Sequence, residues 1–430
     1  MKVCGYTPLR NIQSKLRFGA NNTSHEGEEA SLHHSFYWFL ASQATISLGS
    51  RITRQALPLI AVVSLGASAG DLGVMQALLT GPAIIVGLVV KKIISRIGAA
   101  RIAKTCLLVR GAVLAFIPAA HAAGILNLTI LMGAVLLYGI VAAISDIAER
   151  SLLPAVVQGS AIVRANSLLA TSDASAEIVG PLVMGMLVAL MTPAYSIAAD
   201  AAGFLIAFLC MRRVVPQVGY ETHAQAGDAS GWRLVRSNPE LAGLVMALLS
   251  STLANEAMRA VYTLHAIRTM GLSPFQLGVT FAFGGVGLLL GSTFIRQQKS
   301  DRLGRVSMYG LACNAIGLSL FPIAGASPAY GIIWLSIGQL ISDFGLILFL
   351  ISARSRIQII VRINALPNVF ALLAVGSGLV TMVGAVGGGF AAEAVGAGAA
   401  LCFPPFAKLL GITILYASHL FCRNAKSSTV

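Results

Sequence analysis

Twelve long apolar runs recur along a chain of 430 residues, each able to cross a bilayer as a helix, which takes about 20 apolar residues. No other feature constrains the fold as much. In hydrocarbon every backbone N–H and C=O needs a partner, so repeated spans of this kind fold as a bundle of membrane helices. Composition agrees, with 56% of residues apolar and 11% charged, where a soluble domain carries roughly 25% charged residues. Twelve spans would use about 240 residues, which that apolar share accommodates. The 44 glycines suit helices that pack closely in a membrane. The expected fold is all-α and integral to the membrane.

The runs place helices at 36–65, 70–94, 102–121, 125–148, 161–191 and 194–214, then at 239–269, 274–296, 305–325, 328–351, 361–389 and 398–421. Residues 216–238 form the only long polar stretch inside the chain and read as a linker between two six-helix halves, 36–215 and 239–422. Polar segments 1–35 and 423–430 flank them. The apolar stretch after residue 35 is longer than the 7–15 residue core of a signal peptide, so no cleaved leader is expected. Alternate sides of this helix plan divide the basic residues unevenly. Of 30 Lys and Arg, 24 fall on the side of the termini and only Arg268 on the other, while Arg51, Arg54, Arg110, Arg259 and Lys408 lie inside predicted helices. By the positive-inside rule both termini are cytoplasmic, in the inner membrane of a bacterium. The net charge of +14 then reflects cytoplasmic loops, and nucleic acid is not an expected partner. The six cysteines have no metal-ligand spacing. Neither a nucleotide-binding loop nor a nucleophile elbow is present, so no cofactor, metal or enzymatic activity is expected.

The halves repeat in the same orientation. Gly66, Ser68, Leu72, Gly73 and Val74 recur 205 residues later as Gly271, Ser273, Leu277, Gly278 and Val279. Ile144, Ser145 and Asp146 recur as Ile341, Ser342 and Asp343, and Val163, Arg164, Asn166 and Leu168 as Val361, Arg362, Asn364 and Leu366. Such parallel repeats occur in secondary transporters.

Several motifs point the same way. Ser47, Leu48 and Gly49 precede Ala56, Leu57 and Pro58 on the first helix. Arg96, Gly98 and Arg101 follow the second helix, and Asp301, Arg302, Gly304 and Arg305 follow the eighth. Asp146 leads to Leu152, Leu153 and Pro154, then come Arg164, Ala165, Asn166, Gly180, Pro181 and Asp200. With these residues the chain resembles the major facilitator superfamily, and within it the bacterial exporters that include the enterobactin exporter and macrolide efflux proteins. It departs from their pattern at Lys91, Ser95 and Glu149. The resemblance covers 36–422 and implies twelve helices in two parallel-repeat halves, with the two basic loops as cytoplasmic gate elements.

Charges inside a membrane are costly unless they face a partner or a cavity. Arg54 maps onto Arg259 under the shift of 205, and helices one and seven line the central cavity in the fold that the chain resembles. Arg54, Arg259 and Arg51 are therefore candidates to bind an anionic substrate through planar guanidinium donors. The alternatives are an ion pair for Arg54 on a neighbouring helix, a pair of Arg259 with Glu256, and an Arg51 that snorkels to the outer interface. Candidate proton carriers are Glu256, Asp200, Asp146 and Asp343, since a buried carboxylate beside an arginine can exchange a proton when a substrate changes its contacts. For Asp146 and Asp343 the alternative is an ion pair with Arg150 or Arg354. The function expected is proton-coupled export of a small molecule, such as a siderophore or another anionic metabolite, by a monomer acting as an antiporter. Rival functions are a macrolide-like drug or lysophospholipid transporter of the same fold, and a transport-inactive sensor or scaffold.

Overall fold

The computed structural model describes residues 34–157, 161–215, 231–298, 302–326, 330–362 and 365–427. Residues 1–33 and 428–430, most of the predicted linker and the gate candidate Asp301 lie outside the described residues. Residues 231–237 of that linker form a short helix, Gly231–Ser237, whose first residue lies against the backbone of Asn368.

Twelve long helices follow in order. In the first half they are α1 (His34–Leu59), α2 (Ala69–Thr80, resuming as Pro82–Ile97), α3 (Ala99–Ala122), α4 (Leu128–Val156), α5 (Ala161–Leu190) and α6 (Ala198–Arg212). The second half holds α7 (Pro239–Leu264), α8 (Pro274–Arg296), α9 (Leu303–Ala326), α10 (Gly331–Ile360), α11 (Leu366–Val395) and α12 (Phe403–Ser427). Eleven spans among the described residues are long and apolar enough to cross a membrane. The exception is α1, where Gln43, Arg51, Arg54, Gln55 and several serines dilute the apolar residues.

Two elements outrun their sequence boundaries the furthest. Apolar runs end near residues 148 and 351, but α4 continues to Val156 and α10 to Ile360. Their last turns are amphipathic, burying Leu152 and Val156 on α4 and Ala353 and Ile357 on α10, so the helix outlives the fully apolar stretch. At the middle of α2, Pro82 has no N–H to offer the carbonyl of Leu78. Gly139 of α4 packs against the carbonyls of Leu78 and Leu79 there.

The repeat is visible at atomic detail. Each half ends its first helix in a π-helical turn, Ile60–Ser64 and His265–Thr269. A left-handed glycine follows, Gly66 at φ 70° and Gly271 at φ 67°, a conformation that costs an L side chain about 1–2 kcal/mol. The next helix opens on a capping box, Ser68 with Asp71 and Ser273 with Gln276.

The halves meet along two seams, α2 with α11 and α5 with α8. Near the face opposite the termini these seams are main chain on main chain. Gly73 lies on the backbone of Ala385, Gly389 on that of Ala69, Gly185 on that of Phe275, and Gly278 on that of Pro181. A Cβ at Gly73, Gly278 or Gly389 would collide with a neighbouring backbone, and one at Gly185 would meet it tightly. Toward the terminal face the α5–α8 seam parts, and a crevice of about 320 Å³ opens there beside Asp173, Glu177 and Ser292. The molecule is closed at the far face and open at the terminal face.

Candidate functional site

Three chambers share Arg54 in their walls, two of them between the halves and one within the first half. The central one, about 400 Å³, is lined by Arg54, Arg110, Tyr138, Asp146, Glu256 and Arg259 together with Gln76 and smaller residues. A second, about 610 Å³, runs from Arg54, Asp146 and Glu149 toward the terminal face at Phe39, Leu153 and Asn166. The third, about 120 Å³, reaches from Arg54 and Arg259 to Tyr262 and Asp343. Arg54 borders all three. These volumes fall in the range of small-molecule sites, about 300–1,000 Å³, for the two larger chambers.

Placement of the candidates sorts them. Arg54 and Arg259 come together from opposite halves on the central chamber, as the repeat implies. Arg54 is exposed to that space and has no ion pair among the described residues. Arg259 keeps a long contact of 3.8 Å to Glu256, which also accepts from Gln76 at 3.3 Å. That contact leaves Arg259 45% exposed, so its donors are largely free to meet a ligand.

Arg51 does not snorkel outward. It pairs with Glu177 of α5 at 2.5 Å, and Ser47, one turn earlier, donates to Asp173 of the same helix. Both contacts tie α1 to α5. Asp200 makes a third helix–helix tie: it is buried behind α1, accepts from Thr53, and lies where a Cβ on Gly49 would have to be. Gly49 of the Ser-Leu-Gly stretch and the distant aspartate thus belong to one packing contact.

Among the described residues neither Asp146 with Arg150 nor Asp343 with Arg354 forms an ion pair. Asp146 is exposed to the chambers, whereas Asp343 accepts from Gln339 at 2.8 Å on its own helix. Of the gate candidates, Arg96, Arg101, Arg302 and Arg305 are exposed at the terminal face and make no ion pair among the described residues. Gly98 supplies a turn at φ 92° between α2 and α3, while Gly304 sits in the first turn of α9. Glu149 is buried, accepting from Gln43 at 3.0 Å and Ser145 at 2.5 Å.

One chamber residue escaped the sequence reading. Arg110 of α3 is buried, donates to the Tyr138 hydroxyl at 2.9 Å and Ser50 at 3.3 Å, and lies over the rings of Phe204 at 4.3 Å and Tyr138 at 5.0 Å. Aromatic faces hold a cation without neutralising it. The signal was present, since Arg110 is a charge inside an apolar run like Arg54, but it has no counterpart in the second half to draw attention. Three guanidiniums and two carboxylates, Asp146 and Glu256, therefore face one chamber, an excess of positive charge.

Comparison with known proteins agrees with the architecture. The model of the Major Facilitator Superfamily matches residues 39–392. The uncharacterized MFS-type transporter YvqJ of Bacillus subtilis (strain 168) is 25% identical over 340 residues, which are 74% of this chain and 76% of that protein. Among solved structures, the nucleoside transporter NupG is similar at TM-score 0.71 and 13% identity, over 90% of this chain and 99% of that one. A bacterial homologue of the iron transporter ferroportin in its inward-facing state is similar at TM-score 0.70 and 14% identity, again over 90% and 99%. At such identities the two structures speak for the fold alone.

Proposed function

The chain belongs to the Major Facilitator Superfamily and is a multi-pass membrane transporter, and from that premise we propose that it carries a small organic anion, such as a siderophore or another carboxylate or catecholate metabolite, in a proton-coupled cycle. The observation that carries this reading is the meeting of Arg54 and Arg259, one from each half, on a chamber with excess positive charge. A site shared by both halves is remade whenever they rock against each other, and planar guanidinium forks suit carboxylate and catecholate oxygens. Under the positive-inside rule the basic terminal face is cytoplasmic, with the boundaries 36–215 and 239–422 for the halves, so the chambers open to the cytoplasm. A substrate would load from inside the cell. Arg96, Arg101, Arg302 and Arg305 make no ion pair among the described residues; in the outward-open conformation the loop of Arg96 and Arg101 would meet the cytoplasmic end of the second half, or acids such as Asp146 and Glu149 of its own half.

Export is the direction that the exporter resemblance supports. The charge pattern alone favours an anion and a proton residing in the protein together, since an anion on Arg259 would release Glu256. Flux into and out of proteoliposomes under opposed pH gradients decides between outward exchange and inward co-transport. To test the anion site, carboxylate, catecholate and phosphate metabolites and matched organic cations are screened by thermal shift on purified protein. Hits are then titrated calorimetrically. Arg54→Gln and Arg259→Gln should each weaken anion binding by about 1.5–3 kcal/mol, the scale of a hydrogen bond to a charged group. A cationic ligand, or undiminished affinity in both variants, overturns the reading.

A further inference from the structure

Lys408 sits in the second turn of α12, near the middle of the apolar span Ala397–Ala417, wholly buried, with no carboxylate at ion-pair distance among the described residues. An ammonium in such a place costs several kcal/mol unless its surroundings compensate. Among the described residues its hydrogen-bond partners belong to one residue of α7: Nζ lies 2.9 Å from the carbonyl oxygen of Ser251 and 2.6 Å from its hydroxyl. The two acceptors differ in kind. A carbonyl only accepts, but a hydroxyl both donates and accepts. The ammonium form donates to both oxygens. The neutral amine still donates to the carbonyl and accepts the Ser251 hydroxyl proton through its lone pair. Either protonation state therefore keeps both hydrogen bonds, which an ion pair with a carboxylate would not allow.

We propose that Lys408 binds and releases the coupled proton of the transport cycle. The proposal rests on the proton-coupled reading above and names the group that carries the charge. In the present conformation the amine has no contact with water, so it keeps its proton or its lone pair until α7 and α12 part enough to admit solvent. A proton that exchanges in one conformation and is sealed in another is what coupling to alternating access requires. The site also communicates with the chamber. Ser251 lies five and eight residues before Glu256 and Arg259 on α7, about 7.5 and 12 Å along the axis at 1.5 Å per residue. The charged groups whose fields reach Lys408 are Asp343 of α10 and Arg259 and Glu256 of α7. From α9, which also packs on α12, Arg305 and Tyr309 are exposed and Cys313 is half-buried, and none of them is among those groups.

The test needs no substrate, so it stands or falls separately from the anion site. Spin labels are placed by Ile97→Cys and Gln297→Cys, at the terminal ends of α2 and α8, in a background cleared of native cysteines. Their distance distribution is measured from pH 5.5 to 9.5. The parent should pass between two distributions with pH. Lys408→Arg, permanently charged, should hold the low-pH distribution throughout, and Lys408→Met the high-pH one. Ser251→Ala, which removes the group that serves both protonation states, should displace the midpoint of the parent transition; it serves as the arm that remains if the lysine variants do not fold. A lysine that merely ties two helices would leave the pH profile in place. A parent distribution independent of pH, or a Ser251→Ala midpoint equal to the parent's, overturns the proposal, as do lysine variants that titrate like the parent.

Discussion

Arg51 and Arg54 stand three residues apart on one helix, yet Arg51 is consumed by Glu177 and Arg54 faces open space. Which of two neighbouring arginines is free depends on where α5 puts its glutamate, and no pattern within α1 states that. The repeat did single out Arg54 through its mate Arg259, because duplicated positions inherit equivalent surroundings. Arg110 and Lys408 have no such mates, and their roles became visible only with Tyr138, Phe204 and Ser251 beside them. At this scale the contact of Glu256 with Arg259 gives a prediction opposite in sign to the arginine substitutions. It is long and partly exposed, so it is worth only about 0.5–1 kcal/mol. Glu256→Gln removes the internal competitor for Arg259 and should tighten anion binding roughly two- to fivefold by that same energy, as measured by calorimetric titration. Weaker binding would mean that Glu256 positions Arg259 and does not compete for it.

The connection from the first helix of each half to the second is built twice from the same parts: a π-helical turn, a left-handed glycine and a capping box. Gly66 and Ser68, with their copies Gly271 and Ser273, were readable as a repeat in the sequence, and glycine followed by a capping serine is also a local signal for a turn into a helix. The π-helical turns were not readable: Ile60–Ser64 and His265–Thr269 align as copies, Ala61 on Ala266, Val62 on Ile267 and Ser64 on Thr269, but such residues are ordinary in an α-helix and an inserted hydrogen-bond register leaves no compositional trace. Loss of a cap side chain typically costs about 1 kcal/mol. Ser68→Ala and Ser273→Ala should each lower stability by about that much, and the double variant by their sum because the caps lie in different halves. Unfolding of detergent-purified protein by denaturant checks both the size and the additivity.

Across the whole molecule the far face is sealed by α2 on α11 and α5 on α8, with glycines where the backbones touch. Fold class and helix number follow from the apolar runs and the basic asymmetry. Which face is closed does not, because the same glycines serve a closed seam in one conformation and idle in another. Overpacking a tight contact costs about 1–3 kcal/mol, and here the strain can be relieved by parting the halves. Gly73→Leu should therefore raise the population open at the far face about tenfold, equivalent to roughly 1.4 kcal/mol, seen as longer distances between spin labels at the far ends of α2 and α11. Unchanged distances would place the strain within one half. The glycine seam also bears on descent. Where main chain lies on main chain there is no side chain to trim, so even the smallest enlargement on one helix must be answered by a displacement of the other. The two halves can drift freely where they face lipid, but along these lines each copy's history is bound to that of its partner.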